Sequence, residues 1–194
     1  MRSEAIYEYC ITDHRLTPTR DQAIFHRIGM ESLYEVVKII DGVPVFFEEH
    51  MARLRQSLRL SGASDDLPEA EILADIHRLV RANACGRINV KIVLVGGAAR
   101  RHLLIYFIRS EYPGPDAYSQ GVRTILFSGE RETPNVKTLK DSFRERVRAA
   151  LASAGAYEAL LFDSSGSITE GSRSNLFFLK ESRLVTPPGQ RVLL

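Results

Sequence analysis

The spacing of apolar and polar positions divides this chain into short strands and a few amphipathic helices. Ala5 to Thr12 and Leu33 to Ile40 are rich in β-branched and aromatic residues, which predicts strands. Asp41-Gly42, set between Ile40 and Val43, is a two-residue hairpin signal, and Pro44 to Phe47 is expected to return as a short strand. From Glu48 the period lengthens. Met51, Leu54 and Leu58 fall on one helical face, and Gly62 ends the run. A second helix is predicted over Glu69 to Asn83, with Ile72, Leu73, Ile76, Leu79 and Val80 facing inward and Pro68 tolerated near its start. Strands over Ile88 to Val95 and Leu103 to Arg109 follow, with Gly96-Gly97 opening the turn between them.

Two prolines and a glycine within Glu111-Tyr112-Pro113-Gly114-Pro115-Asp116 then interrupt every periodicity. The expected organisation is a mixed α+β domain over 1–110, a linker over 111–117 and a second domain over 118–194. The second domain begins with a predicted strand, Val122 to Phe127. A helix follows, with Leu139, Phe143, Val147, Ala150, Leu151 and Ala154 on its apolar face. Thr138 and Asp141 resemble a capping box at its start, and Gly155 is a natural stop. Glu158 to Phe162 predicts a strand, Ser164 to Ser167 a turn, and Asn175 to Leu179 and Arg183 to Val185 two further strands. No internal repeat and no low-complexity tract is found.

Composition changes this picture little. With 194 residues, 44% hydrophobic and 26% charged, the chain suits one sizeable core or two small ones. A net charge of +2 is too small to suggest a nucleic-acid binder and argues neither for nor against a small anionic ligand. Arg144, Arg146 and Arg148 read as a solvated helix face. Cys10 and Cys85 lack metal-ligand spacing and suggest a reducing compartment without disulfides, so neither a metal nor a disulfide framework is expected. The N-terminus has no apolar signal core, and runs such as Leu103 to Ile108 are far too short for a bilayer span. These features predict a cytoplasmic protein with no membrane partner.

Three polar residues stand in settings that change their meaning. Lys137 follows the Pro134-Asn135 turn and precedes the predicted helix, a place where a lysine amine can be held partly buried and neutral, as a nucleophile requires. Glu170 follows a strand in Ile168-Thr169-Glu170-Gly171-Ser172-Arg173-Ser174-Asn175, where small and amide-bearing residues let backbone pass close to a flat ring. Arg53 lies one helical turn after His50 in Glu49-His50-Met51-Ala52-Arg53-Leu54, and its fork matches a phosphate dianion. Taken singly, the ordinary readings are an exposed loop lysine, an exposed turn carboxylate and a surface arginine.

Together, in this order and spacing, these fragments resemble the pyridoxal 5'-phosphate (PLP) site of the class IV aminotransferases, the group holding D-amino acid and branched-chain aminotransferases and aminodeoxychorismate lyase. Leu33-Tyr34-Glu35-Val36-Val37-Lys38 and Gly42 are similar to that family's N-terminal domain, and the likeness extends over residues 5–194. It implies the α/β, two-domain fold-type IV architecture. Lys137 would carry the PLP aldehyde, Glu170 would face the ring nitrogen, Arg53 would hold the phosphate, and Ser174 and Asn175 would line the cofactor. By the same resemblance, Arg100 and His102, an Arg-x-His pair, would trap a substrate carboxylate in a neighbouring subunit, and Tyr34 would contact substrate. A basic turn and a core tyrosine are the plain alternatives for that trio.

The implied activity is transamination of an amino acid with a 2-oxo acid by a homodimer. Pyruvate elimination by a 4-amino-4-deoxychorismate lyase stands as an alternative, as does a catalytically reduced homologue acting through dimerisation. Two departures from the family pattern are noted. Lys140 stands where an asparagine is usual. The family's Gly-Ile-Thr-Arg phosphate segment and the rest of its C-terminal domain would follow Leu194, which reads either as an incomplete version of a longer protein or as a naturally short member.

Overall fold

The computed structural model describes residues 4–21, 23, 25–29, 32–96, 101–110, 112–129 and 142–189. Lys137, Arg100, Lys140, Gly97, the Thr138/Asp141 pair and the expected turn at Pro134-Asn135 lie outside the described residues. Those described up to 110 form one compact unit, and those from Tyr112 onward form a second.

The first unit is built on an antiparallel sheet. Its strands are β1 (Ile6–Thr12), β2 (Arg15–Pro18), β3 (Leu33–Ile40), β4 (Val43–Pro44), β5 (Ile88–Val95) and β6 (His102–Ile108), in the order β2-β1-β6-β5-β3-β4. The long central pairings run in register from Leu33↔Leu94 to Ile39↔Ile88 and from Asn89↔Ile108 to Val95↔His102. The predicted return strand after the hairpin is shorter than expected. Asp41 and Gly42 both take positive φ, as such a turn requires. The Val45 N–H still bonds to the Lys38 carbonyl, but Phe46 turns into the left-handed region and delivers the chain into a helix.

Two helices cover one face of this sheet, α1 (Phe47–Leu60) and α2 (Glu69–Ala82). Met51, Leu54 and Leu58 of α1 and Ile72, Ile76 and Leu79 of α2 are wholly buried. Removing such a side chain from water contributes about 1.5–3 kcal/mol. They pack with Leu33, Val37, Ile39, Val90, Ile92, Ile105 and Phe107 from the sheet. Alternation along the strands sends the intervening residues to the opposite face, where Cys10, Tyr34, Val93, Val95, Leu104 and Tyr106 form a separate cluster. Strand β2 was not anticipated. It is a short edge strand that exists by pairing Tyr9↔Pro18 through Thr12↔Arg15 with β1.

In the second unit, β7 (Thr124–Ser128) and β8 (Glu158–Phe162) are parallel and joined by a crossover that includes α4 (Ser142–Ala154). β9 (Ile168–Gly171) adds antiparallel to β8. Val147, Ala159 and Leu161 form the buried centre, with Ile125, Phe127, Phe143 and Leu151 packed on it. The turn before β9 is tied by Asp163, whose Oδ1 accepts the Ser165 and Ser167 amides at 2.9 Å each. A short helix, α3 (Pro115–Gln120), lies at the start of this unit and overlaps the end of the stretch expected to be linker. The strands β10 (Phe178–Lys180) and β11 (Arg183–Val185) form a separate hairpin, with Leu179 77% and Leu184 69% exposed.

Candidate functional site

Arg53 is fixed by a residue that no sequence motif singles out. Glu35 sits on β3 among apolar neighbours, on the helix-covered face, and is fully buried. The Arg53 Nε donates to Glu35 Oε1 at 2.7 Å and its Nη2 donates to Oε2 at 2.6 Å. The His50 Nδ1 lies 2.8 Å from the same Oε2. The helical spacing of His50 and Arg53 thus brings both onto one carboxylate. Its hydrogen bonds to Glu35 raise the Arg53 pKa against the opposing effect of burial, and the Glu35 charge acts in the same direction. Arg53 stays a cation with its fork held in one orientation. Its side chain keeps 27% of its surface exposed, against none for Glu35.

Tyr34 and His102 share the sheet face opposite the helices. Tyr34 is buried, and the Lys91 Nζ lies 4.7 Å from its ring centre. Lys91 and the Tyr106 hydroxyl both donate to Glu4 Oε1. Burial, followed by the adjacent Glu4 charge, pushes the Tyr106 phenol well above its ordinary range. His102 opens β6, with its Nδ1 2.7 Å from Asp13 Oδ2, while Asp13 Oδ1 accepts the Leu103 amide at 2.9 Å. Burial alone would raise the Asp13 pKa, but its bonds from His102 and Leu103 outweigh that and hold it below the usual carboxylate value. His102 therefore has a carboxylate partner of its own, orienting the ring through Nδ1.

In the second unit, Glu170 is 7% exposed near the end of β9. The turn that follows is compact. The Gly171 amide donates to the Ser174 carbonyl at 2.9 Å, and a Cβ on Gly171 would stand 2.3 Å from Ser174 Oγ and 2.8 Å from its carbonyl oxygen. Glycine is required there by close approach. Ser174 is exposed and gives its hydroxyl to Glu158 Oε2 at 2.9 Å, and Asn175 is exposed. Tyr34, Arg53 and His102 thus belong to the first unit and Glu170, Ser174 and Asn175 to the second. Glu35, Asp13 and Glu158, which organise these residues, were missed. The one signal each left in the sequence is a carboxylate in or beside an apolar strand. Among the described residues, no group of three or more His, Cys, Asp or Glu is arranged to hold a metal ion, and no helix is long and apolar enough to cross a membrane.

The sequence profile of the family described as Amino-transferase class IV matches residues 32–194. The chain is 26% identical over 176 residues to a D-alanine aminotransferase of Bacillus licheniformis, a match covering 84% of this chain and 61% of that protein. Its fold superposes on a branched-chain amino acid aminotransferase from Thermobaculum terrenum solved in its PLP form, with a TM-score of 0.77 at 20% identity, covering 98% of this chain and 70% of that one. A Legionella pneumophila protein described as a 4-amino-4-deoxychorismate lyase gives a TM-score of 0.73 at 22% identity, covering 88% and 66%. The fold is that of the fold-type IV enzymes, and the chain belongs to the class IV aminotransferase family. It spans about 61% of the length of the curated D-alanine enzyme it matches.

Proposed function

We propose that this protein binds PLP and moves an amino group between an amino acid and a 2-oxo acid. The observation that carries the reading is Arg53: a cation whose fork is locked on buried Glu35 while part of its side chain remains exposed. Such an arrangement presents a fixed positive charge to a phosphate with little ordering left to be done. The other donors suit the same cofactor. Glu170 is a buried carboxylate beside a glycine turn too tight for a Cβ, matching a flat ring whose nitrogen must stay protonated.

When bound, PLP would act as an electron sink at the substrate α-carbon. Arg53 would bind its phosphate, and Glu170 would keep its ring nitrogen protonated. The Lys137 Nζ would hold the cofactor covalently and, once freed by the substrate amine, would serve as the base that moves the substrate α-proton. Ser174 and Asn175 would help to hold the cofactor. Tyr34, with Arg100 and His102 of a second copy, orients the substrate carboxylate. On this reading, Asp13 sets the His102 ring so that Nε2 faces the ligand.

The likeness to the Legionella protein supports a lyase as the second reading. The experiment that tests the proposal is borohydride reduction of the PLP-soaked protein, followed by peptide mapping. The pyridoxyl group is expected on Lys137, and an adduct on Lys140 or Lys91 overturns the assignment. Release of pyruvate from aminodeoxychorismate, with no oxo-acid acceptor present, would select the lyase.

A further inference from the structure

Glu158 is a buried carboxylate that the reading above leaves without a role. It opens β8 and is 7% exposed. Its Oε1 accepts the Ala159 amide at 2.8 Å, the Ser172 amide at 2.9 Å and the Ser172 hydroxyl, while its Oε2 accepts the Ser174 hydroxyl. Bonds from neutral donors to an ionised acceptor are stronger than neutral pairs. Three of these donors come from the turn directly after Glu170.

Backbone bonds lock the same turn. Gly171 donates to the Ser174 carbonyl and Ser172 to the Ala159 carbonyl, each at 2.9 Å, and Gly171 pairs with Leu160 across the sheet. The Gly171 Cα is thus trapped between Ser174 and the Glu158 carboxyl, whose Cδ would lie 3.4 Å from an added Cβ. With the backbone fixed at Gly171, the course of the chain at Glu170, one residue earlier, is constrained as well.

We propose that Glu158 is a positioning residue: its carboxylate folds the Gly171-Ser172-Arg173-Ser174 turn and so aims Glu170 at the cofactor's ring nitrogen. This rests on the cofactor reading above, and it assigns Glu158 an action through the turn without contact with the cofactor. It also gives the Ser174 hydroxyl a different duty, holding Glu158.

The test uses the full chain with Glu158→Leu, Glu158→Gln, Ser172→Ala and Glu170→Gln variants, and two readouts. The first is amide hydrogen exchange without cofactor. In Glu158→Leu the Ser172 amide loses its acceptor, and its exchange should quicken by about tenfold or more, the factor that follows from losing one net hydrogen bond. Glu158→Gln retains an acceptor oxygen and should restore most of the protection. The second readout is the nitrogen-15 NMR shift of ring-labelled PLP added to each protein. Glu170→Gln should move it toward that of an unprotonated pyridine, Glu158→Leu should move it the same way, and Glu158→Gln should return it toward wild type.

A ring signal in folded Glu158→Leu identical to wild type, with Glu170→Gln displaced, overturns the proposal. Unchanged Ser172 exchange in Glu158→Leu also overturns it. A wild-type signal in Glu170→Gln, or no bound PLP in the unaltered chain, sinks the cofactor reading instead, and the exchange result still decides whether Glu158 governs the turn. If Glu158→Leu fails to fold, Ser172→Ala removes one hydroxyl bond alone. It should then give a smaller change of the same sign in both readouts, and no change in either refutes the idea.

Discussion

Replacing Arg53 by methionine should destabilise the first unit before any effect on cofactor binding can be read. Glu35 has no exposed surface, and Arg53 supplies two of its hydrogen bonds at 2.7 and 2.6 Å. Methionine fills similar space but takes both of those hydrogen bonds and the guanidinium charge away from a buried carboxylate. Breaking one side of a buried ion pair costs about 3–5 kcal/mol, because the remaining charge stays desolvated. With a urea slope of roughly 2 kcal/mol/M for a unit of this size, the unfolding midpoint should fall by about 1.5–2.5 M. The double variant Glu35→Leu/Arg53→Met removes both charges together and should recover most of that loss, since an apolar replacement of the whole pair is often neutral. Urea titrations followed by circular dichroism on the four proteins of the cycle give the coupling, expected to exceed about 2 kcal/mol. A single variant that loses less than about 1 kcal/mol, or a double variant no better than Arg53→Met, refutes the view that Glu35 depends on Arg53. The same cycle guards the functional test: Arg53→Ala weakens PLP binding by about 1.5–3 kcal/mol if the phosphate is held there, and that figure is meaningful only at denaturant-free temperatures where the variant stays folded.

Three further outcomes are expected. Asp13 has its pKa lowered in the folded state, so its contribution to stability is present above the ordinary value of 3.8 and is lost as pH falls through the lower folded value; Asp13→Asn should flatten the acid limb of the stability curve below that value, and thermal melts between pH 3 and 6 that superpose on wild type would contradict this. Gly171→Ala places a Cβ 2.8 Å from the Ser174 carbonyl oxygen; it should cost about 1–3 kcal/mol by overpacking, and Ser174→Ala should relieve only the side-chain part, as read by chemical denaturation. Mixing inactive Arg100→Ala with inactive Lys137→Ala should restore about a quarter of wild-type activity if the Arg-x-His loop serves the partner's site, and no recovery in a sample shown to contain mixed dimers would mean that the loop serves its own subunit or that Arg100 is not the carboxylate trap.

The strands and helices of both units were legible because each is decided mainly by residues close together in the chain. Leu33–Ile40, Ile88–Val95 and Glu158–Phe162 occur where β-branched and aromatic runs predict them, and the inward faces of α1 and α2 are those of the helical period. Edge features were less legible. Strand β2 carries little propensity of its own and forms only against β1. The return strand stops at Pro44 because the left-handed Phe46 turns the chain into α1.

The family resemblance could be read from the motifs around Lys137, Glu170 and Arg53, since those residue types and their order are properties of the linear chain. The groups that orient the site were not legible. Glu35 meets Arg53 from another element, Asp13 meets His102 from 89 residues away in the chain, and Glu158 meets Ser172 and Ser174 across β8 and β9. A carboxylate within an apolar strand carries no mark of which cation or amide will satisfy it. Burying it is costly until a partner arrives, and the partner is chosen by sheet register and helix placement. Sequence alone thus determined the elements, the family and the chemical inventory. Tertiary structure decided which charges are buried together, and so which way Arg53, His102 and the Glu170 turn are held.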